Sequence, residues 1–556
     1  MNAIIRRELA GMLRTWKGLG LQIAVLLCLG ALVVLRWPTS AQVDLGGTAS
    51  RQVFRMFGYG LMAGLMLISP AFPATSIVRE RIGGTLALLL NSPIPPVSLV
   101  LGKLAGSLGF VLLIIVLSFP AAAACFAMGG ISLAGQLGAL YLVLALLALQ
   151  CASIGLFVSS IVRSTEASLR TTYAAVLLLA IGSLAPHELL RGAAWAGQSA
   201  IDIAAYIRSL SPAPAVMRIL GDLDIASAGG QGNGNVVHQF CIQAAAISVL
   251  CIIATVVRLS SRPMDRARDS GRMTDDRSQL ARAARRVMFL WFFDPQRRSS
   301  LIAPWQNPVM VKEQRCRPMG RANWMMRLIG VYFVLSLLIV LGATTMSQRQ
   351  GVAAVLAVIA MLQISLIVLL APSLASGLIS GERESKGWQL LQMTPLAPLT
   401  IIVGKLLSAA MPLAIIMLAT LPAYVVLLML DPAQLSTAIS VQVTLILFAI
   451  MAVLLAAGVG SLFRNTAAAT ATAYTLLASL CVGTMFIWLG RDAPFSTRVV
   501  EAAIIANPLA ATLNIIGVPG FDGFTLIPGN WYAIGTIAAI CGTLLWLQVA
   551  RLGRPR

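Results

Sequence analysis

Long apolar runs of about 20 residues, separated by short polar stretches, dominate the chain. About 30 Å of hydrocarbon needs about 20 residues of helix, so each run predicts a helix that crosses a membrane. The predicted fold is an all-α polytopic membrane protein with twelve transmembrane helices. The predicted spans are Leu19–Leu35, Phe54–Val78, Leu104–Met128, Gly135–Val162, Thr172–Ala185, Phe240–Val257, Leu328–Met346, Val352–Ile379, Leu406–Leu430, Ser440–Phe463, Ala468–Leu489 and Trp531–Val549.

The polar stretch after the second span occurs twice, as RERIGGTLALLLNSPIPPVSLVLGK from residue 79 and as ERESKGWQLLQMTPLAPLTIIVGK from residue 382. An offset of 302 residues aligns Glu80 with Glu382 and Lys103 with Lys405. The pattern predicts two six-helix bundles in tandem. They are a first unit at 1–257, a basic linker at 258–305 and a second unit at 306–556. Six is even, so both units start from the same side of the membrane and form a parallel repeat.

Each predicted unit opens with a short basic amphipathic segment. The first, Asn2–Lys17, places apolar residues near helical spacing and basic residues between them. NAIIRRE from residue 2 corresponds to NPVMVKE from residue 307. Both segments predict helices in the membrane interface, with the basic side toward headgroups or a partner.

Charge gives the predicted orientation. With the N-terminus inside, the cytoplasmic side holds 32 of the 41 Lys and Arg residues and 11 of the 20 Asp and Glu residues. The positive-inside rule therefore places both termini in the cytoplasm. The net charge of +21 then requires no nucleic acid, and it suits contact with anionic lipid.

Groups that could supply energy or catalysis are missing from the sequence. No ionisable residue falls in the middle of a predicted span, which disfavours proton-coupled carriers. The sequence contains no P-loop, since the Gly-Lys of each repeated stretch lacks the glycine spacing and the Ser or Thr. Only two histidines are present and no CxxC pair, so we expect no metal site and no bound cofactor.

The repeated stretch suggests a family. ERIGGTLALLLNSPIPPVSLVLGKL and the NPVMVKEQRCR lead resemble the permeases of ATP-binding-cassette (ABC) transporters of the ABC-two class. The resemblance implies six-span units, each with an interfacial N-terminal helix, a cytoplasmic coupling element and outer re-entrant helices. It also implies partner ATPase subunits that bind ATP and Mg, so this chain is expected not to be an enzyme.

The resemblance also implies roles for individual residues. Arg81 to Pro93 and Arg383 to Pro395 would be the coupling elements, and Glu80 and Glu382 would face the ATPase or the N-terminal helix. The residues implied in ATPase coupling are Glu80, Arg81, Thr85, Leu86, Pro93, Lys103, Glu382, Arg383, Trp388, Pro395 and Lys405. Those implied on the interfacial helices are Arg7, Glu8, Lys312 and Glu313, and Pro212 and Pro508 would start the re-entrant segments.

The leading hypothesis is therefore an ATP-driven exporter permease in a bacterial inner membrane, with accessory envelope proteins as further candidate partners. Alternatives are an ion-coupled carrier that works alone and a non-transporting scaffold of an envelope or motility complex. A membrane enzyme is disfavoured by the missing catalytic cluster. The substrate cannot be assigned, because apolar spans permit lipids, drugs or peptides and do not exclude ions or polysaccharides.

Overall fold

Helices are the regular elements throughout the described part of the chain. The computed structural model describes residues 2–14, 48–127, 132–162, 164–184, 186–187, 198–221, 236–260, 307–316, 355–385, 387–489 and 497–552, and the separate positions 20, 22–23, 25–27, 30, 330, 333 and 353.

In the first half of the chain, the helices follow one another as α1 (Asn2–Leu13), α2 (Thr48–Ile68), α3 (Ala71–Ile82), α4 (Thr85–Leu90), α5 (Pro96–Leu117), α6 (Phe119–Ala127), α7 (Gly138–Ile161), α8 (Thr165–Leu177), α9 (Gln198–Arg208), α10 (Pro212–Leu220) and α11 (Val236–Ser260). In the second half they are α12 (Pro308–Cys316), α13 (Val355–Glu384), α14 (Gly387–Gln392), α15 (Pro398–Leu430), α16 (Leu435–Leu462), α17 (Thr466–Ala478), α18 (Thr484–Leu489), α19 (Thr497–Ile504), α20 (Pro508–Ile516) and α21 (Gly529–Leu552). One π-helical turn follows α8, at Leu178–Gly182, and another follows α17, at Ser479–Gly483.

Within the described ranges, nine helices are long and apolar enough to cross a membrane. They coincide with nine of the predicted spans, and they support an integral membrane protein. The bent pair α19 and α20, which turns through 114°, would be a tenth if it counts as one span. The seventh predicted span lies almost entirely outside the described residues, as does the linker after Ser260, and of the first span the structure describes residues 20, 22–23, 25–27 and 30.

The fifth predicted span, Thr172–Ala185, is not among these nine helices. The helix at this position, α8, begins at Thr165 rather than at Thr172. Its N-cap is Ser164, whose side chain accepts a hydrogen bond from the backbone N–H of Ala167. Glu166 and Arg170 therefore lie on the helix and not in the preceding loop.

The third and ninth predicted spans also begin earlier. The helices start at Pro96 and Pro398, each at the first helical position after an extended residue, where proline's missing N–H costs nothing. Lys103 and Lys405, which directly precede the third and ninth predicted spans, therefore do not mark the helix starts. Both lysines lie two turns inside a helix, and both are buried.

The two short opening helices pack on glycines. A Cβ atom added at Gly106 of α5 would lie 2.6 Å from the Cβ of Glu8, and one added at Gly102 would lie 3.0 Å from the Cγ2 of Ile4. The helix α12 approaches Gly404 of α15 equally closely. Small residues allow helix backbones to approach one another, so α1 and α12 lie directly against the long helices α5 and α15.

The two halves of the chain meet through α8 and α17. The hydroxyl oxygens of Thr165 and Thr466 lie 3.3 Å apart in a buried contact. The rings of Tyr173 and Tyr474 lie with centroids 4.7 Å apart. In both contacts the two partners are separated by 301 residues.

We expect Gly106→Leu to destabilise the protein, because the new side chain would occupy the space of Glu8 and push α1 off α5. Overpacking of this kind costs about 1–3 kcal/mol or more. The thermal midpoint of the purified protein in detergent is the measurement.

The matched control is Gly60→Leu, since an added Cβ at Gly60 meets nothing within 4 Å. Equal losses for the two variants would contradict the close packing of α1 on α5.

Candidate functional site

The predicted site residues at the end of α3 come together around a buried lysine. Lys103 has only 2% of its side chain exposed, and its Nζ lies 3.0 Å from Glu8 Oε1 and 2.9 Å from Glu80 Oε1. Lys103 also donates a hydrogen bond to Ser76 Oγ at 3.1 Å. Arg7 Nη2 closes the cluster at 3.1 Å from Glu8 and 2.8 Å from Glu80. We call the four charged residues Arg7, Glu8, Glu80 and Lys103 the first ion cluster.

The same arrangement recurs in the second half of the chain. Lys405 is 3% exposed, and its Nζ lies 2.7 Å from Glu313 Oε1 and 3.1 Å from Glu382 Oε1. Lys312 Nζ lies 3.2 Å from Glu382. We call these four residues the second ion cluster. Glu313, at 5% side-chain exposure, is more buried than Glu8, at 20%.

Each ion cluster joins three elements that are distant in sequence. The opening helix supplies a cation and a carboxylate, the end of α3 or α13 supplies the second carboxylate, and α5 or α15 supplies the buried lysine. A buried cation requires paired anions, because its desolvation alone costs several kcal/mol. Of the two orientations predicted for Glu80 and Glu382, the structure therefore shows contact with the opening helix.

Burial and charge act in opposite directions on Glu8. Burial disfavours its ionised form, but the Lys103 ammonium and the Arg7 guanidinium outweigh that effect and hold the pKa of Glu8 below its ordinary value. Glu8 is therefore ionised at neutral pH, and it carries the charge that the buried lysine needs.

The arginines that follow Glu80 and Glu382 each bind the C-terminal end of a neighbouring helix. Arg81 donates hydrogen bonds to the carbonyl oxygens of Ser160 at 2.7 Å and Val162 at 2.9 Å, and Arg258 donates to the Ser160 carbonyl at 3.3 Å. The last carbonyls of a helix lack partners within the helix and carry partial negative charge. Arg81 therefore fixes the C-terminal end of α7.

Arg383 makes the corresponding bonds to the end of α16, at 3.0 Å to the carbonyl of Ser461 and 3.4 Å to that of Phe463. Beside it, Glu384 accepts bonds from the backbone N–H and the hydroxyl of Thr466, at 2.9 Å and 2.8 Å. A carboxylate is favourable at a helix N-terminus, so Glu384 stabilises the start of α17.

A short helix lies beside each ion cluster. In the first half, α4 begins after Gly84, whose φ of 72° is left-handed and favours glycine. Thr85 donates a weak hydrogen bond to the Glu80 carbonyl at 3.3 Å. In the second half the short helix is α14. Pro93 and Pro395 are exposed in the turns that follow these two helices.

The short helices bury one apolar side chain and expose another. Leu86 and Trp388, both predicted as ATPase contacts, are only 9% and 7% exposed and pack into the helices beneath them. Leu88 and Leu390 are 72% and 71% exposed. Neither leucine stands out in the sequence, because TLALLL offers no polar position that would identify the outer face. Their matched offset of 302 residues was the signal that could have found them.

Pro212 and Pro508 belong to neither cluster. They start α10 and α20, whose N-caps are Ser211 and Asn507 and whose C-caps are left-handed glycines. In the part of the chain that the structure describes, no group of three His, Cys, Asp or Glu side chains could hold a metal ion.

Comparison with known families gives one match. Residues 39–257 match the family model described as ABC-2 family transporter protein. No curated protein matches the chain. The family match and the apolar helices together support a membrane-embedded ABC transporter permease, a class of protein that works with ATPase subunits.

We expect Lys405→Met to destabilise the protein by about 3–5 kcal/mol, because it removes the buried cation that Glu313 and Glu382 share, and Glu382 then keeps only the exposed Lys312. The matched control is Lys312→Met, which removes a cation that is 49% exposed and should cost at most about 1 kcal/mol. Unfolding of the purified protein in a detergent titration measures both. Equal effects would show that burial does not determine the strength of the second ion cluster.

We also expect the first ion cluster to make stability depend on pH. The pKa of Glu8 is below its ordinary value of 4.5 in the folded protein, so its contribution is present above pH 4.5 and is lost as the pH falls through the lowered pKa. Thermal midpoints measured across this acidic range should fall less steeply for Glu8→Gln than for the parent chain. Identical slopes would contradict the ionised state of Glu8.

Proposed function

We propose that the chain is the permease subunit of an ATP-driven ABC exporter of a bacterial inner membrane, with two six-span units fused in one polypeptide. Separate ATPase subunits would bind and hydrolyse ATP with Mg at the cytoplasmic face, and this chain would bind no cofactor itself. The observation that carries the proposal is the ion cluster beside a short helix with an exposed leucine, which is present in both halves of the chain.

The two-unit arrangement is supported by contacts that recur at constant offsets. Tyr173 donates its hydroxyl hydrogen to the Leu67 carbonyl at 2.7 Å, and Tyr474 does so to the Leu369 carbonyl at 2.6 Å. The ion clusters and the two arginine contacts follow the same offsets of 301 to 305 residues. Unrelated halves would have no reason to share such long-range bonds. We therefore infer twelve spans, with both termini on the cytoplasmic side as the charge distribution favours.

The proposed docking points for the ATPase are the exposed leucines of α4 and α14. Apolar side chains that project from short helices on the polar side of a membrane protein have no lipid to contact, and they suit a hydrophobic groove on a partner. Leu86 and Trp388 would then hold each short helix on the permease body, while Leu88 and Leu390 would contact the ATPase.

Coupling would proceed through the ion clusters. Movement of an ATPase against α4 would displace the neighbouring Glu80, and the ion pair with Lys103 would pass that displacement to α5. The corresponding path in the second half would run from α14 through Glu382 to Lys405. The spans would respond without ionisable groups at their centres, since the energy would enter from the cytoplasmic side.

We expect Leu88→Asp combined with Leu390→Asp to abolish the stimulation of ATP hydrolysis. The assay uses the purified chain in lipid nanodiscs with its partner ATPase subunit, which would be sought among the reading frames beside its gene. A charge at each exposed position would oppose docking in an apolar groove, while the ion clusters and the thermal midpoint should stay unchanged.

The matched control is Leu88→Met with Leu390→Met, which keeps both positions apolar and of similar volume and should retain the stimulation. Full stimulation by the Asp variant would overturn the docking role of these leucines. Substrate flux in liposomes driven by an ion gradient without any ATPase would overturn the proposed class.

A further inference from the structure

We call the contact region between α8 and α17 the seam. It has one edge on each side of its centre. At its centre, Thr165 meets Thr466 and Tyr173 meets Tyr474. Each residue touches the one that occupies its own position in the other half, as residues on a twofold axis do. Contacts on either side of this axis should then occur in matching pairs, and any difference between members of a pair distinguishes the halves.

One edge of the seam is apolar. Ala467 of the second half is buried against Ala74 and Leu169 of the first half. All three side chains are small or purely aliphatic, and each is at most 3% exposed. These three side chains bring no charge and no hydrogen-bonding group to this edge.

The matching edge on the other side of the axis is polar. At offsets of 301 or 302 residues, Ala467, Ala74 and Leu169 correspond to Glu166, Ser376 and Thr470. Ser376 and Thr470 share a buried hydrogen bond of 2.7 Å. Glu166 crosses the seam and lies on the backbone of Gly377, where an added Cβ would be 1.9 Å from its Oε1.

In the contact of Glu166 with Gly377, neither residue fits if it is replaced by the residue at the corresponding position of the other half. The first-half position that corresponds to Gly377 is Thr75, and its Cβ and methyl group would occupy the space that the carboxylate takes. Two first halves would place Glu166 against Thr75 at both edges. Two second halves would place Ala467 against Gly377 at both edges and leave voids, which close-packed interiors do not tolerate without cost.

A second first-half charge adds to the difference. Arg170, which corresponds to Ala471, is close enough to Glu166 on its own helix to interact with it electrostatically. A pair of second halves would lack both charged residues of α8.

We infer that the two halves form an obligately unlike pair, in which the Glu166 side chain of the first half fits the Gly377 gap of the second. The inference rests on the proposed two-unit arrangement, and it does not depend on what the protein transports. Steric conflict and unfilled space both act against pairing of like halves, which is how an interface excludes a wrong partner. Fusion in one chain then ensures that every molecule contains one half of each kind.

The test is a double-mutant cycle in the full chain. Gly377→Thr introduces the first-half residue against Glu166, and we expect it to lower the thermal midpoint in detergent by about 5 °C or more. Glu166→Ala should have a smaller effect. The combination reproduces the pairing of Ala467 with Thr75, and we expect it to recover most of the loss caused by Gly377→Thr.

Gly64→Thr is the matched control, because an added Cβ at this helical glycine meets nothing within 4 Å. An equal loss at Gly64, or additive effects of Glu166→Ala and Gly377→Thr, would overturn the unlike pairing. If Gly377→Thr alone fails to accumulate in membranes, the same cycle is read from the yield of the double variant. No recovery of yield would again overturn the inference.

A cross-link separates this inference from the arrangement on which it rests. Thr165→Cys with Thr466→Cys, in a chain whose native cysteines are replaced, should form a disulfide in membranes, since the hydroxyl oxygens lie 3.3 Å apart. The disulfide is read as a mobility shift on a non-reducing gel. Absence of the cross-link would overturn the facing of the halves, and with it the inference. A cross-link without coupling in the cycle would overturn the unlike pairing alone.

Discussion

The packing of both opening helices depends on the burial of a lysine side chain inside a helix bundle. Lys103 and Lys405 have almost no contact with solvent, and each requires two carboxylates that the chain supplies from different elements. The opening helix must therefore be docked, and the end of the preceding span must be held in position, before either lysine can be buried. Each ion cluster can therefore form only when all three elements are in place.

The glycines of α5 and α15 make these clusters geometrically possible. A side chain at Gly106 would hold α1 too far away for Glu8 to reach Lys103, so backbone approach and ion pairing depend on the same interface. The short helices and their exposed leucines lie beside this rigid base. A partner docked on them, as proposed, would act on a part of the molecule that cannot move without disturbing buried charge.

Much of the fold could be predicted from the sequence, because the bilayer imposes a length on apolar runs that few other environments require. The repeated offsets also identified the eight ion-cluster residues as related pairs. Their convergence could not be predicted, since it depends on where the helices start. Placing Lys103 at a span boundary followed from hydropathy, whereas Pro96 starts the helix earlier and carries the lysine into the interior. The buried and exposed faces of α4 could not be predicted either, because an all-apolar sequence has no hydrophobic periodicity.

The adjacency of Glu80 and Arg81 has a mechanical consequence. Glu80 is tied to Lys103 on α5, and Arg81 is tied to the last carbonyls of α7. A rotation of the end of α3 would therefore displace both α5 and α7. The movement of the two helices would be concerted. The helices α5 and α7 would move as a block, because sliding of one past the other would break the bond of Glu80 or that of Arg81.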